Sequence, residues 1–473
     1  MILHIMRKEI LQGFLSLRFP ITLILVAAVM ISGALLFIED YRQQLADYHQ
    51  NVRANLDRLS ELADNFGWQA IYTALSWNAQ SLYMKPTRLA FLAEGHERDL
   101  PNTFEVSPFR IVGPTKKLRG NYLLQKFHSL DWAFVISVIM SFAAIVLVYD
   151  SISGERESGT LRLSMSNPVP RSTVILGKYL GTMIMLVIPL LVGMLFSMII
   201  IVTSGKVNLA GADWVRILIT VLLSLLYLSI FVLLGLFISS SLRSSAASLV
   251  LLLLSWTVIV VVIPSVTGVI AARFSELPSD RALGFIAHDA FNKARQEYGA
   301  RHPESGGFVA RVWYAKESLG GSLYCRDAFM AVYRDCWDEM VADVRSGYNV
   351  TRVSPCVVYR RAAESIAGSG IDHYENFMKQ VWIYRSILRD FLISHHPLDF
   401  HKYYDGVEEL ERQAFQALSK VKFTGADVPK FHDDPIPVED AMRNSLWDIA
   451  ILVMSNVVFF MATYISFLRR DVR

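Results

Sequence analysis

The densest charge between two long apolar stretches lies in Asp150 to Gly181, DSISGERESGTLRLSMSNPVPRSTVILGKYLG. Glu155, Arg156 and Glu157 are followed by Gly159, Thr160, Leu161 and Arg162, and Pro168 and Pro170 then stiffen the return through Arg171. Residues 154–163 predict a short helix of alternating charge with an apolar edge, and Ser172 or Thr173 can cap the helix that comes next. Such an element suits gripping by another protein and transmission of force. A merely solvated loop would not explain Leu161, Leu163, Met165 and Val169 among the charges. The segment is no phosphate-binding loop: Gly177-Lys178 lacks the upstream glycine and precedes Tyr179 rather than Ser or Thr. Nucleotide chemistry would therefore have to come from a partner chain, and no catalytic residue is assigned in this one.

Two further groupings carry weaker chemistry. His395, His396 and His401 crowd with Asp399 around Pro397. They are weak metal candidates, because adjacent histidines beside a proline are more often a solvated turn, and the expectation is no metal site. The three cysteines are too few for a disulfide scaffold or a four-cysteine zinc site. Cys325 and Cys336 share a helix face but lie about 16 Å apart along it. A disulfide in an oxidising compartment would thus join Cys356 to Cys325 or to Cys336. Asn349-Val350-Thr351 matches a glycosylation acceptor, which matters only in a eukaryotic secretory pathway.

The elements that hold these residues follow from composition. Apolar residues make up 53% of 473 positions and charged residues 19%, with a mean hydropathy of +0.35; that is an integral membrane protein. The net charge of +3 includes no long basic run, so nucleic acid is not an expected partner. Apolar runs at 20–38, 132–149, 179–203, 214–240, 246–271 and 446–468 are each about long enough to cross ~30 Å of hydrocarbon. The first is longer than a signal core and lacks a cleavage site, so an uncleaved span is expected. Few ionisable residues fall within the runs, which disfavours an ion-driven carrier, and Trp132, Trp214 and Trp447 stand at span ends as expected of interfacial anchors. Arg7, Lys8, Arg18, Arg243, Arg469, Arg470 and Arg473 fall on one side, which the positive-inside rule makes cytoplasmic, together with 150–178 and the tail 469–473.

Residues 1–19 form an amphipathic interfacial helix, with Leu3, Met6, Ile10, Phe14 and Leu17 on one face. Outside lie 39–131, beginning with a helical stalk to about Asn65 and continuing irregularly over 80–125, and the larger 272–445 with several helical stretches. The fold class is a mostly α-helical membrane protein: an interfacial helix, six spans and two largely helical extracytoplasmic regions.

The pattern Glu-Arg-Glu, Gly-Thr-Leu, Ser-Asn-Pro-Val-Pro-Arg and Leu-Gly-Lys within 150–181 resembles the signature of type-2 ABC exporter permeases, near the copper-enzyme-maturation and gliding permeases. Phe127 to Trp132, Ser354 to Phe377 and the end of the last span add to the likeness. The resemblance implies that two permeases pair, as a homodimer or with a related chain. It also implies that each docks a coupling helix at 150–178 into one of two cytoplasmic ATPase subunits, which bind ATP and Mg; this chain itself needs no cofactor. Glu155, Arg156, Glu157, Gly159, Thr160, Leu161 and Arg162 would then face the ATPase, with Pro168, Arg171 and Lys178 shaping the return. A bacterial inner-membrane location with both termini cytoplasmic follows from the same likeness. The expected function is ATP-driven export of an amphiphilic, lipidic or peptidic cargo. The large outer regions keep two alternatives open: a mechanical transmitter acting on an outer partner, and a membrane-anchored enzyme or sensor using His395–His401.

Overall fold

The computed structural model describes residues 2–77, 79–95, 102–113, 130–161, 170–265, 279–301, 316–394 and 427–469, with the backbone course alone at 62–77, 280 and 316–320. Backbone polar groups in hydrocarbon must be satisfied within their own segment, so long apolar runs become helices. Among the described residues six helical segments are long and apolar enough to cross a bilayer. Helix α1 (Ile2–Leu15) precedes α2 (Arg18–Trp77), whose 60 residues include the first span and run on past Asn65. The second span is built from α3 (Trp132–Phe134), a π-helical stretch Val135–Met140 and α4 (Ser141–Val148), followed by the short α5 (Ser153–Glu157). Then come α6 (Arg171–Thr203), α7 (Gly211–Ser241) and α8 (Ser245–Trp256), the last continued by a second π-helical stretch, Thr257–Val262. The sixth span is α13 (Val438–Arg469).

The end of the bundle bearing α1 and α5 is called the near end here. At the far end stand α9 (Asp280–Arg301), α10 (Lys316–Thr351), α11 (Pro355–Ala367) and α12 (Gly370–Ser394). The expected irregular stretch 80–125 contains an antiparallel sheet of β1 (Gln80–Tyr83), β2 (Thr103–Val106) and β3 (Ile111–Val112), in that order. Gln80 pairs with Val106, Tyr83 with Thr103 and Glu105 with Val112. This register puts Leu82, Phe104 and Val106 on one face, where they pack with Tyr374, Phe377 and Val381 of α12. The strands are too short for alternation to stand out without the surface they cover.

Three further expectations change. Trp132 is no exposed anchor: it is buried, donates its indole N–H to Ser197 Oγ at 3.0 Å and meets Phe91 edge-on, while Trp214 and Trp447 remain exposed. Helix α6 starts directly after Pro170 with no side-chain cap, so Ser172 and Thr173 lie inside its first turn. Helix α11, expected within an outer helical domain, packs between α7 and α13. Its Tyr359 stacks on Tyr227 at 4.6 Å and shares a hydrogen bond with Ser224 at 2.9 Å.

Candidate functional site

The 150–161 segment is fastened on every side to the chain's own elements. Lys178, on the first turns of α6, is only 2% exposed. An ammonium has three protons to place, and Lys178 Nζ finds Glu9 Oε1 at 2.7 Å, the Ser151 carbonyl at 2.8 Å and Glu155 Oε1 at 3.2 Å. Lys8 Nζ also reaches Glu155 Oε1 at 2.8 Å. Two lysines and two carboxylates from α1, α5 and α6 thus alternate in one cluster. Partial burial opposes the charge on Lys8, but the hydrogen bond and charge of Glu155 outweigh it and hold the ammonium above the usual lysine range.

The neighbouring residues are held as firmly. Arg18, at the start of α2, donates to both oxygens of Asp150 at 3.0 and 2.8 Å and to the Tyr149 hydroxyl at 2.8 Å. Ser239 Oγ of α7 accepts the backbone N–H of Ile152 and of Ser153, each at 3.0 Å. Arg156 donates to the Leu242 carbonyl at 3.0 Å, just past the end of α7. Glu157 accepts from Ser245 N at 3.1 Å and Ser245 Oγ at 2.5 Å, placing its negative charge at the positive end of α8. Arg171 donates to the carbonyls of Phe467 and Leu468 at 3.2 and 2.7 Å, in the last turn of α13.

What remains open is narrow. Helix α5 ends at Glu157, and Gly159 turns the chain in the left-handed region at φ +72° with open space where a side chain would stand. Glu157, Ser158, Gly159 and Thr160 form the exposed crest, while Leu161 is buried. The expected continuous helix over 154–163 is therefore broken at its middle. Glu155 and Arg156 face the chain's own elements rather than outward, because the buried Lys178 and the carbonyls at the end of α7 claim them. Arg162 and Pro168 lie outside the described residues, as do His395, His396 and His401; among the described residues no group of His, Cys, Asp or Glu could hold a metal ion.

Several residues that build this site carried no label in the sequence. In the sequence Lys8 and Arg18 count only as positive charges ahead of the first span, and Glu9 carries no signal. Gly177 and Gly181, four apart, let α1 lie directly on α6: a Cβ on Gly177 would come within 2.8 Å of Ile5 Cγ2, and one on Gly181 within 2.8 Å of Glu9 Cβ. That small-xxx-small spacing was the available signal.

A second polar cluster closes the far end. Arg216 of α7, almost fully buried, donates to the Ile366 carbonyl at the end of α11 at 2.8 Å and also to the Ile436 carbonyl. Arg352 and Arg361 converge on Asp448 of α13 at 2.8 and 3.6 Å. The spans thus hold more buried charge than their runs suggested. Glu364 of α11 sits against Gly95 and Gly370, both with positive φ. Burial first, and then the negative charges of Asp131 and Asp372, push its carboxyl up to about 7 against the pull of Arg360 and Arg361. The three cysteines are free, so the expected pairing of Cys356 with Cys325 or Cys336 is not made. Cys356 is packed in the bundle core with Val358 and Tyr359, whereas Cys325 and Cys336 lie on α10 outside that cluster.

The sequence profile described as ABC-2 family transporter protein matches residues 3–330. A probable ABC transporter permease protein, NosY, of Stutzerimonas stutzeri is 38% identical over 61 residues, covering 13% of this chain and 22% of that protein. The NosY protein of Pseudomonas aeruginosa is 42% identical over 55 residues, covering 12% and 20% respectively. The chain therefore spans about a fifth of the length of these curated relatives.

Proposed function

The chain belongs to the ABC-2 family of transporter proteins, and on that premise we propose that it is a permease whose 157–160 crest receives thrust from a separate, cytoplasmic ATPase. The observation that carries this reading is the way one short exposed crest is tied, through Lys178, Arg18, Ser239, Ser245 and their partners, to five different helices. Push on the crest is then shared by α1, α2, α6, α7 and α8 together. In this reading the near end is cytoplasmic, two copies of the ATPase bind ATP and Mg, and a second permease, identical or related, completes the pathway in a bacterial inner membrane. The apolar spans suit an amphiphilic, lipidic or peptidic cargo.

The test is co-purification with ATPase subunits. Wild-type protein should bring down an ATP-binding partner, and Thr160→Arg with Ser158→Arg should abolish that capture while leaving the thermal midpoint of the permease unchanged. Capture that survives the double substitution, or no ATPase with the wild type, overturns the assignment. A second reading, mechanical transmission to a far-side partner, is favoured by one observation: α2 runs unbroken for 60 residues, about 90 Å at 1.5 Å per residue, from the near end to well past its apolar run.

A further inference from the structure

From the corner between α10 and α11 we propose a lipid-binding surface: residues 350–354 sit in the hydrocarbon of the far leaflet, with Val350 and Val353 against acyl chains. The proposal is independent of the transport reading. It brings part of 272–445 into the bilayer, although neither α10 nor α11 is among the candidate spans. Depth follows from contacts with three spans. Ser354 Oγ donates to the Ile259 carbonyl at 2.6 Å, within the π-helical stretch of the fifth span. Ile259 stands fourteen residues past Ser245, about 20 Å from the near boundary at 1.5 Å per residue. Tyr359 stacks on Tyr227, which is likewise fourteen residues from the near end of α7 at Ser241. Asp448, held by Arg352 Nε at 2.8 Å, stands 21 residues before Arg469, or about 30 Å. Hydrocarbon is itself ~30 Å thick, so the corner enters from the far side and reaches about a third of the way in.

The corner is built as that depth requires. Irregular backbone there must bond within the protein, and Ser354 N and Arg352 N donate to the Thr351 and Asn349 carbonyls at 3.1 and 3.4 Å. The Thr351 hydroxyl donates to the Tyr348 carbonyl at 2.6 Å, and Pro355, which opens α11, has no N–H to satisfy. Charge within a membrane must be paired. Arg352 bonds Asp448, itself only 1% exposed, and donates from Nη1 to Asn349 Oδ1 at 2.8 Å. The asparagine of the glycosylation pattern is thus used inside the corner. Outward stand Val353, 77% exposed, and Val350, 55% exposed. One residue from Asp448, the exposed Trp447 begins a stripe that Met454, Val458 and Met461 continue at helical steps along the sixth span. The two valines extend this lipid-facing stripe, which makes acyl chains the occupant.

The experiment uses the full chain in phosphatidylglycerol nanodiscs, carrying Cys325→Ser, Cys336→Ser and Cys356→Ala. Spin labels are attached in turn at Val353→Cys, Val350→Cys, Met454→Cys and Ala54→Cys. Power saturation then compares collisions with oxygen, which enters hydrocarbon, and with nickel ethylenediaminediacetate, which stays in water. We expect the oxygen-to-nickel collision ratio at Val353→Cys and Val350→Cys to match Met454→Cys and to exceed that at Ala54→Cys, on the exposed stalk, about tenfold. Nickel collisions dominating at Val353→Cys would put the corner in water, and few collisions with either reagent would mean that a second copy or another protein covers it. Either result overturns the proposal. Should the cysteine replacements disturb folding, Val353→Asp and Val353→Leu in the otherwise unchanged chain decide the matter. Val353→Asp should lower the unfolding midpoint in nanodiscs while Val353→Leu keeps it, because hydrocarbon penalises the charge. Equal midpoints for the two also overturn the proposal.

Discussion

A buried lysine needs an acceptor for each ammonium proton, and Lys178 has them in Glu9, Ser151 and Glu155. Removing one partner of a buried ion cluster leaves the others uncompensated at about 3–5 kcal/mol. Lys178→Met should therefore lower the unfolding midpoint of the purified protein sharply, and adding Glu155→Gln should recover part of the loss; a midpoint equal to wild type would show the cluster to be idle. Glu364 makes a pH-dependent prediction. Its carboxyl keeps a proton up to about 7, whereas the ordinary value is 4.5. Folding thus favours the protonated form, so this group's stabilisation is full below about 4.5 and is lost as pH rises through 7. Wild type should lose stability across that window relative to Glu364→Gln, whose midpoint stays flatter; parallel curves would refute the assignment. Neither residue was legible alone. A lysine at the edge of a span and a glutamate on a helix look ordinary until burial and neighbours are known.

At the scale of elements, the contact of α1 with α6 depends on Gly177 and Gly181. A leucine at position 181 would drive its Cβ to within 2.8 Å of Glu9 Cβ, so α1 must lift and take Glu9 away from Lys178. Gly181→Leu should then expose α1 to limited proteolysis while the far-end helices keep wild-type protection, and an α1 as protected as before would contradict the packing. Helix periodicity and run length were enough to find α1, the stalk and the spans, because one face or the whole circumference of each is apolar. The sheet and the break at Gly159 escaped that logic. A strand of two to four residues carries too little pattern, and the glycine turn interrupts a charge alternation that by itself reads as continuous helix.

For the whole molecule, the two readings of function part at the stalk. Ala54 is exposed on α2, and Ala54→Pro would kink the helix at a local cost of about 3 kcal/mol. Export through the spans expects ATP-driven cargo movement in reconstituted vesicles to survive this change. Loss of far-side action with ATP turnover intact would favour transmission instead. The amino-acid sequence by itself determined the membrane class, the six spans and the N-terminal helix, because hydrophobic length and charge placement are local properties. Only the tertiary structure decided which charges between Asp150 and Thr160 are spent inside the chain and which stand on the crest, and how α11 enters between α7 and α13. Those outcomes depend on which residues distant in sequence come within hydrogen-bonding or packing distance, and no local pattern carries that information.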